Sequence, residues 1–113
     1  MTQPIFDEQQ FLKSLAGDRE LAVELLGAFM DDSPERVQSL EGALESGDAG
    51  SAARLAHSLK GMCGVVRAES LVGLALSMES ASKDGDMDKT GKLYEEFKEK
   101  LTIAHGEMKI FIG

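Results

Sequence analysis

The stretch "RLAHSLKGMCGVV", residues 54–66, decides how this chain reads. Its apolar residues recur at helical spacing, yet it carries two glycines and a histidine. A glycine inside a helix costs roughly 1 kcal/mol relative to alanine. On a wheel of about 100° per residue with His57 at zero, Leu55, Leu59, Met62 and Val66 fall within about 40° of the opposite pole, and Ala52 joins them. That side is predicted to face a core, which points His57 to solvent. Ala53, Lys60, Gly61 and Gly64 share the histidine's face, at the i−4, i+3, i+4 and i+7 positions that touch on a helix surface. A solvated face ordinarily carries Glu, Lys, Gln and Arg. Here the residues above and below the ring are nearly bare, apart from one lysine.

A neutral imidazole nitrogen is a nucleophile. Lys60, one turn away, offers a positive charge to an anionic group on the ring. Phosphoryl transfer suits such a layout, because it is largely positioning plus charge stabilisation. Paired glycines also serve close helix packing, but that use belongs on the core side, and these lie opposite it.

Outward from this helix, the whole chain carries helical spacing. Asp48 is the expected cap of the histidine helix, which runs to about Val65. Before it, a short helix fits Asp7 to about Leu15, with Asp7 as cap and Phe11, Leu12 and Leu15 on one side. Asp18 caps the next element, in which Leu21, Leu25, Leu26, Phe29 and Met30 step along one face and Val37, Leu40, Ala43 and Leu44 resume it. Pro34 between them, with Ser33 as a possible cap, predicts one long helix kinked there or two nearly collinear ones. "RAESL" opens a fourth element carrying Leu71, Leu74, Ala75, Met78 and Ala81, and "KDGD" is a turn. The last helix is expected from about Met87 to Ile110, with Leu93, Phe97, Leu101, Ala104, Met108 and Ile112 as its stripe. Short Gly-Asp connections between long amphipathic helices imply antiparallel neighbours in an up-down bundle.

Composition bounds the function. At 113 residues, the chain is read as a single domain, residues 1–113, and its 42% apolar content is enough for one packed core. A net charge of −8 argues against nucleic-acid binding and against anionic membrane surfaces. No apolar run approaches the length of a membrane span, and "MTQPIFDEQQ" lacks the layout of a signal peptide. Cys63 alone makes no internal disulfide and fits a reducing cytoplasm. The expected protein is a cytoplasmic monomer. A start at Met1 without a linker favours a free protein over the tail of a larger kinase.

"AHSLKGMCGVVRAESL" resembles the signature of histidine phosphotransfer (HPt) domains, the phosphocarriers of two-component phosphorelays. That signature reads roughly A-H-x-L-K-G, four residues, an apolar residue, then G-A-x-x-L. Ala56, His57, Leu59, Lys60 and Gly61 match in order, and Val66, Ala68 and Leu71 match further on. Gly64 is a common choice in the family. The resemblance runs from residue 5 to about 110, and Met78-Glu79 stands where a Leu-Glu pair is usual. Two departures are visible: Arg67 replaces a glycine just past the helix end, and Met62 and Cys63 replace small polar residues. The arginine either alters the turn or adds positive charge at the rim of the docking surface.

The resemblance implies an all-α fold, an antiparallel up-down four-helix bundle with an additional short N-terminal helix. It implies that His57 accepts a phosphoryl group from a phospho-aspartate on one receiver domain and passes it to another. Lys60 would stabilise its charge, and Ala53, Arg54, Gly61 and Gly64 would form the docking surface and the clearance around the ring. Partners would be response-regulator receivers or a hybrid sensor histidine kinase. The receiver would supply Mg2+ and a catalytic carboxylate, so this chain needs no cofactor and has no kinase activity of its own. The competing reading is a helical scaffold that docks on such partners without being phosphorylated.

The remaining candidates are expected to be structural. His105, with Leu101 and Met108 at i−4 and i+3, sits beside a core stripe and is predicted to be half-buried. Cys63 leans toward the core. Two histidines and one cysteine show no ligand spacing, and Asp31 and Asp32 lack a third ligand, so no metal site is expected. No nucleotide loop or nucleophile–base pair marks an autonomous enzyme.

Overall fold

The computed structural model describes residues 3–113. Five α-helices form among them: α1 (Glu8–Ser14), α2 (Arg19–Ser46), α3 (Ala49–Val65), α4 (Glu69–Lys83) and α5 (Met87–Ile112). Helices α2 to α5 pack as a closed ring, α2 on α3, α3 on α4, α4 on α5 and α5 back on α2, while α1 lies against α2. This is the expected four-helix bundle with a short extra helix, and α5 runs one half-turn further than Ile110. The caps follow from local chemistry. Asp7, Asp18, Asp48 and Asp86 each accept a backbone N–H three residues on, at 3.0–3.1 Å.

Phe11, Leu26, Leu40, Leu59, Leu71, Met78, Phe97 and Met108 are completely buried and fill the ring's centre. Each such side chain contributes about 1.5–3 kcal/mol by leaving water. Phe6 closes one end of the bundle, edge-on to Phe11 at 5.6 Å and to Phe111 at 5.9 Å. The Glu107 carboxylate accepts the Phe6 N–H at 2.8 Å and holds that segment on α5. The Cys63 thiol lies in the core, where burial pushes its pKa up to about 12.

Helix α2 passes through Pro34 without a break, and Ser33 is not a cap. At 28 residues and about 1.5 Å per residue it spans the molecule's 41 Å long dimension. Pro34 is exposed, so its ring sits on the outer face, where the carbonyl it deprives of a partner can meet water. Ser33 points the other way. It is fully buried, and its Oγ lies 2.9 Å from Nε2 of His105. His105 is half-buried as expected, edge-on to Phe29 at 5.8 Å, and burial lowers its pKa.

The junctions after α2, α3 and α4 share one geometry, which the end of α1 repeats at Ala16 with φ +55. A left-handed residue ends the last helical turn, and two reversed backbone bonds close the helix end. Two of the three junction residues are glycines, Gly47 and Gly85. The third is Arg67, with φ +60, and its motif is complete: Arg67 N–H to Gly64 O at 3.1 Å and Ala68 N–H to Cys63 O at 3.0 Å. Arg67 therefore departs from glycine at a position whose backbone favours glycine. An L-residue pays roughly 1–2 kcal/mol in this conformation. The next helix also starts without help, since Ala68 has no side chain to cap α4.

Arg67→Gly is accordingly expected to stabilise the fold by about 1 kcal/mol, seen as a raised thermal midpoint. Gly47→Arg, at the matching place after α2, is expected to lower the midpoint by a similar margin. An unchanged or lower midpoint for Arg67→Gly contradicts this account.

Candidate functional site

The buried stripe of α3 differs in detail from the wheel. Ala52, Leu59 and Val66 are fully buried as expected, but so are Ala56 and Cys63, while Leu55 and Met62 are only partly covered. The stripe is turned by about 40° toward α4. His57 consequently does not stand at the centre of an open face. Its ring lies along the seam between α3 and α4, with 65% of its side chain exposed. Ala53, expected as open clearance, is buried on the α4 side at 8% exposure, so small size there serves helix packing. Arg54 and Gly61 are exposed, and Gly64 is half-covered.

The seam brings in a residue to which sequence reasoning gave no part in the site. Glu79 of α4 is the one buried charged residue among those described, and its side chain is 10% exposed. Its Oε2 lies 3.1 Å from Nδ1 of His57, and its Oε1 accepts from Lys60 Nζ at 3.1 Å. Lys83, one turn further along α4, pairs with Oε2 at 3.1 Å. The Lys60 hydrogen bond and then that of Lys83 hold the Glu79 carboxyl down at about 2, against the opposing effect of burial. Glu79 is therefore ionised at neutral pH and offers only lone pairs. Nδ1 of His57 must carry the hydrogen of this bond. The neutral ring is left with its lone pair on Nε2, at the exposed end.

Other cations gather nearby. Arg54 lines the same shallow hollow as Ala53, His57, Glu79 and Lys83, and its Nη2 donates to Ser51 Oγ at 3.0 Å. On the other flank, Arg36 of α2 donates from Nε to Ser58 Oγ at 3.1 Å, beside His57 in sequence. A wider hollow at the N-terminal end of the bundle, lined by Asp7, Glu8 and Glu107 among others, contains no nucleophile and no cation. Among the described residues no three His, Cys, Asp or Glu side chains gather as metal ligands. Nor is any described helix long and apolar enough to cross a membrane.

Gly61 and Gly64 have no packing reason to be glycine. A Cβ on either would meet nothing within 4 Å. The same holds for Gly27, Gly42, Gly73, Gly91 and Gly106, so a helical glycine does not by itself mark the site. What sets Gly61 and Gly64 apart is their place one and two turns beyond an exposed imidazole.

The bundle thus presents an exposed imidazole with a fixed free nitrogen, edged by cations, the parts that phosphoryl transfer would use. The Hpt domain model matches residues 24–106, and the chain belongs to that family. Its role is histidine phosphotransfer in phosphorelays. Among solved structures it is similar to the crystal structure of histidine-containing phosphotransfer protein B (HptB) from Pseudomonas aeruginosa PAO1. The TM-score is 0.89 at 27% identity, over 98% of this chain and 96% of that one. A search of curated proteins gave no significant match.

The charge network has a measurable acid signature. A carboxyl whose folded pKa lies below its ordinary 4.5 adds stability that is fully present above that value and is lost as pH falls toward about 2. Glu79→Gln is therefore expected to be less stable than the parent in urea at pH 7, with the two converging near pH 2. A gap that persists undiminished at pH 2 overturns the assignment.

Proposed function

We propose that His57 Nε2 accepts a phosphoryl group from a receiver-domain phospho-aspartate and passes it to a second receiver, in a cytoplasmic two-component relay. The observation that carries this reading is the Glu79 bond to Nδ1, which leaves the nucleophilic lone pair on the solvent-facing nitrogen. In the incoming step, Nε2 attacks phosphorus in line as the aspartyl oxygen–phosphorus bond breaks. The return step reverses these roles. The receiver supplies Mg2+ and the catalytic carboxylate, and this chain supplies the nitrogen, its orientation and cations.

Lys60 and Lys83 balance the charge that arrives. Both Nζ groups pair with the carboxylate that holds the ring and can exchange a carboxylate oxygen for a phosphoryl oxygen. Gly61 and Gly64 keep the approach beyond the ring clear, and Arg54 sits on the docking rim. The domain acts as a monomer, and its partners are receivers, free or within a hybrid sensor kinase.

Incubation with a phosphorylated receiver and Mg2+ is expected to place acid-labile, base-stable phosphate on the wild type and none on His57→Gln. Lys60→Ala is expected to slow transfer roughly 10-fold, about one charge-assisted hydrogen bond. Gly61→Glu, with open space around the new side chain, is expected to fold and yet lose about 100-fold or more in rate by obstructing approach. Label that persists in His57→Gln removes the site assignment. A wild type that binds the receiver but never labels leaves the scaffold reading in its place.

A further inference from the structure

The bond between Glu79 and His57 has consequences after the phosphoryl group arrives, and the inference drawn from it rests on the phosphocarrier reading. Phosphorylation of Nε2 consumes its lone pair, and a ring that keeps its Nδ1 hydrogen then bears a positive charge. Such a ring in water is free to lose that proton. Here Nδ1 faces an ionised carboxylate at 3.1 Å, which opposes the loss. We propose that Glu79 is the counter-ion of phospho-His57 and keeps its ring protonated, so that the group departs from a good leaving group at any pH near neutral.

The balance of the outgoing step shows why this matters. The acceptor carboxylate forms an oxygen–phosphorus bond while the Nε2–phosphorus bond breaks, and its electron pair returns to Nε2. With Nδ1 protonated, the ring leaves as neutral imidazole and no proton moves. Without that proton it would have to leave as imidazolate, a far poorer leaving group. The other charged groups gathered here act against the ring's proton: Lys60 and Arg54 on α3, Lys83 on α4 and Arg36 on α2 are all cations. Glu79 offsets them, and Lys60 and Lys83 in turn share its charge. Glu79 acts through the ring and does not touch phosphorus, so it is a positioning residue whose mark is a pH profile.

The test labels His57 with phosphoramidate, a small donor that needs no receiver, and follows loss of phosphate between pH 5 and 9. In the wild type the rate is expected to stay level through neutral pH. In Glu79→Gln, which keeps the shape and loses the charge, the fall in rate is expected about 1–3 pH units lower. At pH 8 that variant then holds its phosphate about 10-fold longer or more. Lys83→Gln, which frees carboxylate charge for the ring, is expected to move the fall the other way. 15N NMR of the phosphorylated wild type reads the same proton directly and does not depend on a variant folding: Nδ1 is expected to be protonated at pH 8. Coincident profiles for the wild type and a folded Glu79→Gln, or an unprotonated Nδ1, overturn the counter-ion role and leave the carrier standing. A wild type that phosphoramidate does not label at His57 overturns both.

Discussion

Helix α3 has to bury one face against α2 and α4 while its other face holds an imidazole open to a second protein. A helix turns about 100° per residue, so these duties compete for the same few turns. The chain meets them with small residues. Ala52, Ala56 and Cys63 let α4 approach closely, and Ala53 extends that contact to the edge of the histidine's face. The buried stripe rotates toward α4, and His57 comes to rest at the seam where a neighbouring helix can reach it.

The seam converts packing into chemistry. Because α4 lies close, Glu79 reaches the inner nitrogen of the ring, and because Glu79 is ionised it fixes which nitrogen is free. The same carboxylate satisfies Lys60, which would otherwise crowd a cation against the ring with no partner. A buried charge is tolerable only when paired and hydrogen-bonded. Glu79 meets this condition with three donors, which makes the site stiff before any partner binds. Pre-organisation of this kind lowers the cost of forming a reactive complex.

The helix boundaries were legible because they rest on local chemistry. An aspartate that accepts an N–H three residues on leaves its mark in a four-residue window, and Asp7, Asp18 and Asp48 could be read as caps without knowledge of the fold. His57, Lys60, Gly61 and Gly64 were legible for the same reason, all lying on one face of one helix. Glu79 was not, since its bond to His57 joins residues 22 apart across two helices. The wheel also assumed a core opposite the histidine, whereas the neighbours of α3 decide where its stripe points. Pro34 left one long helix or two collinear ones open, and the fold takes the first. A residue that breaks isolated helices is carried within α2 because the tertiary frame holds the turns on both sides, and because the proline's own side is the wet one. The meaning of Arg67 needed a backbone angle: φ +60 shows that the arginine keeps a turn whose backbone favours glycine, and no window of sequence displays that strain.

The distribution of charge extends the logic of the seam. The chain as a whole carries −8, yet the ring is edged by Arg54, Lys60 and Lys83, with Arg36 on its far flank. Net negative charge keeps the protein soluble and discourages contact with other anionic surfaces. The local cations favour an anionic partner at one place on that surface, and the field of exposed charges fades within about 8–10 Å at physiological salt. Attraction is thus confined to the neighbourhood of the ring. Glu79 sets its strength: while the ring is free, the carboxylate holds Lys60 and Lys83 and mutes their charge, and when a phosphoryl group is on Nε2 the same lysines have a second anion within reach. On the carrier reading, one carboxylate therefore lets a patch of fixed composition answer differently to the empty and the loaded ring, without any change of fold.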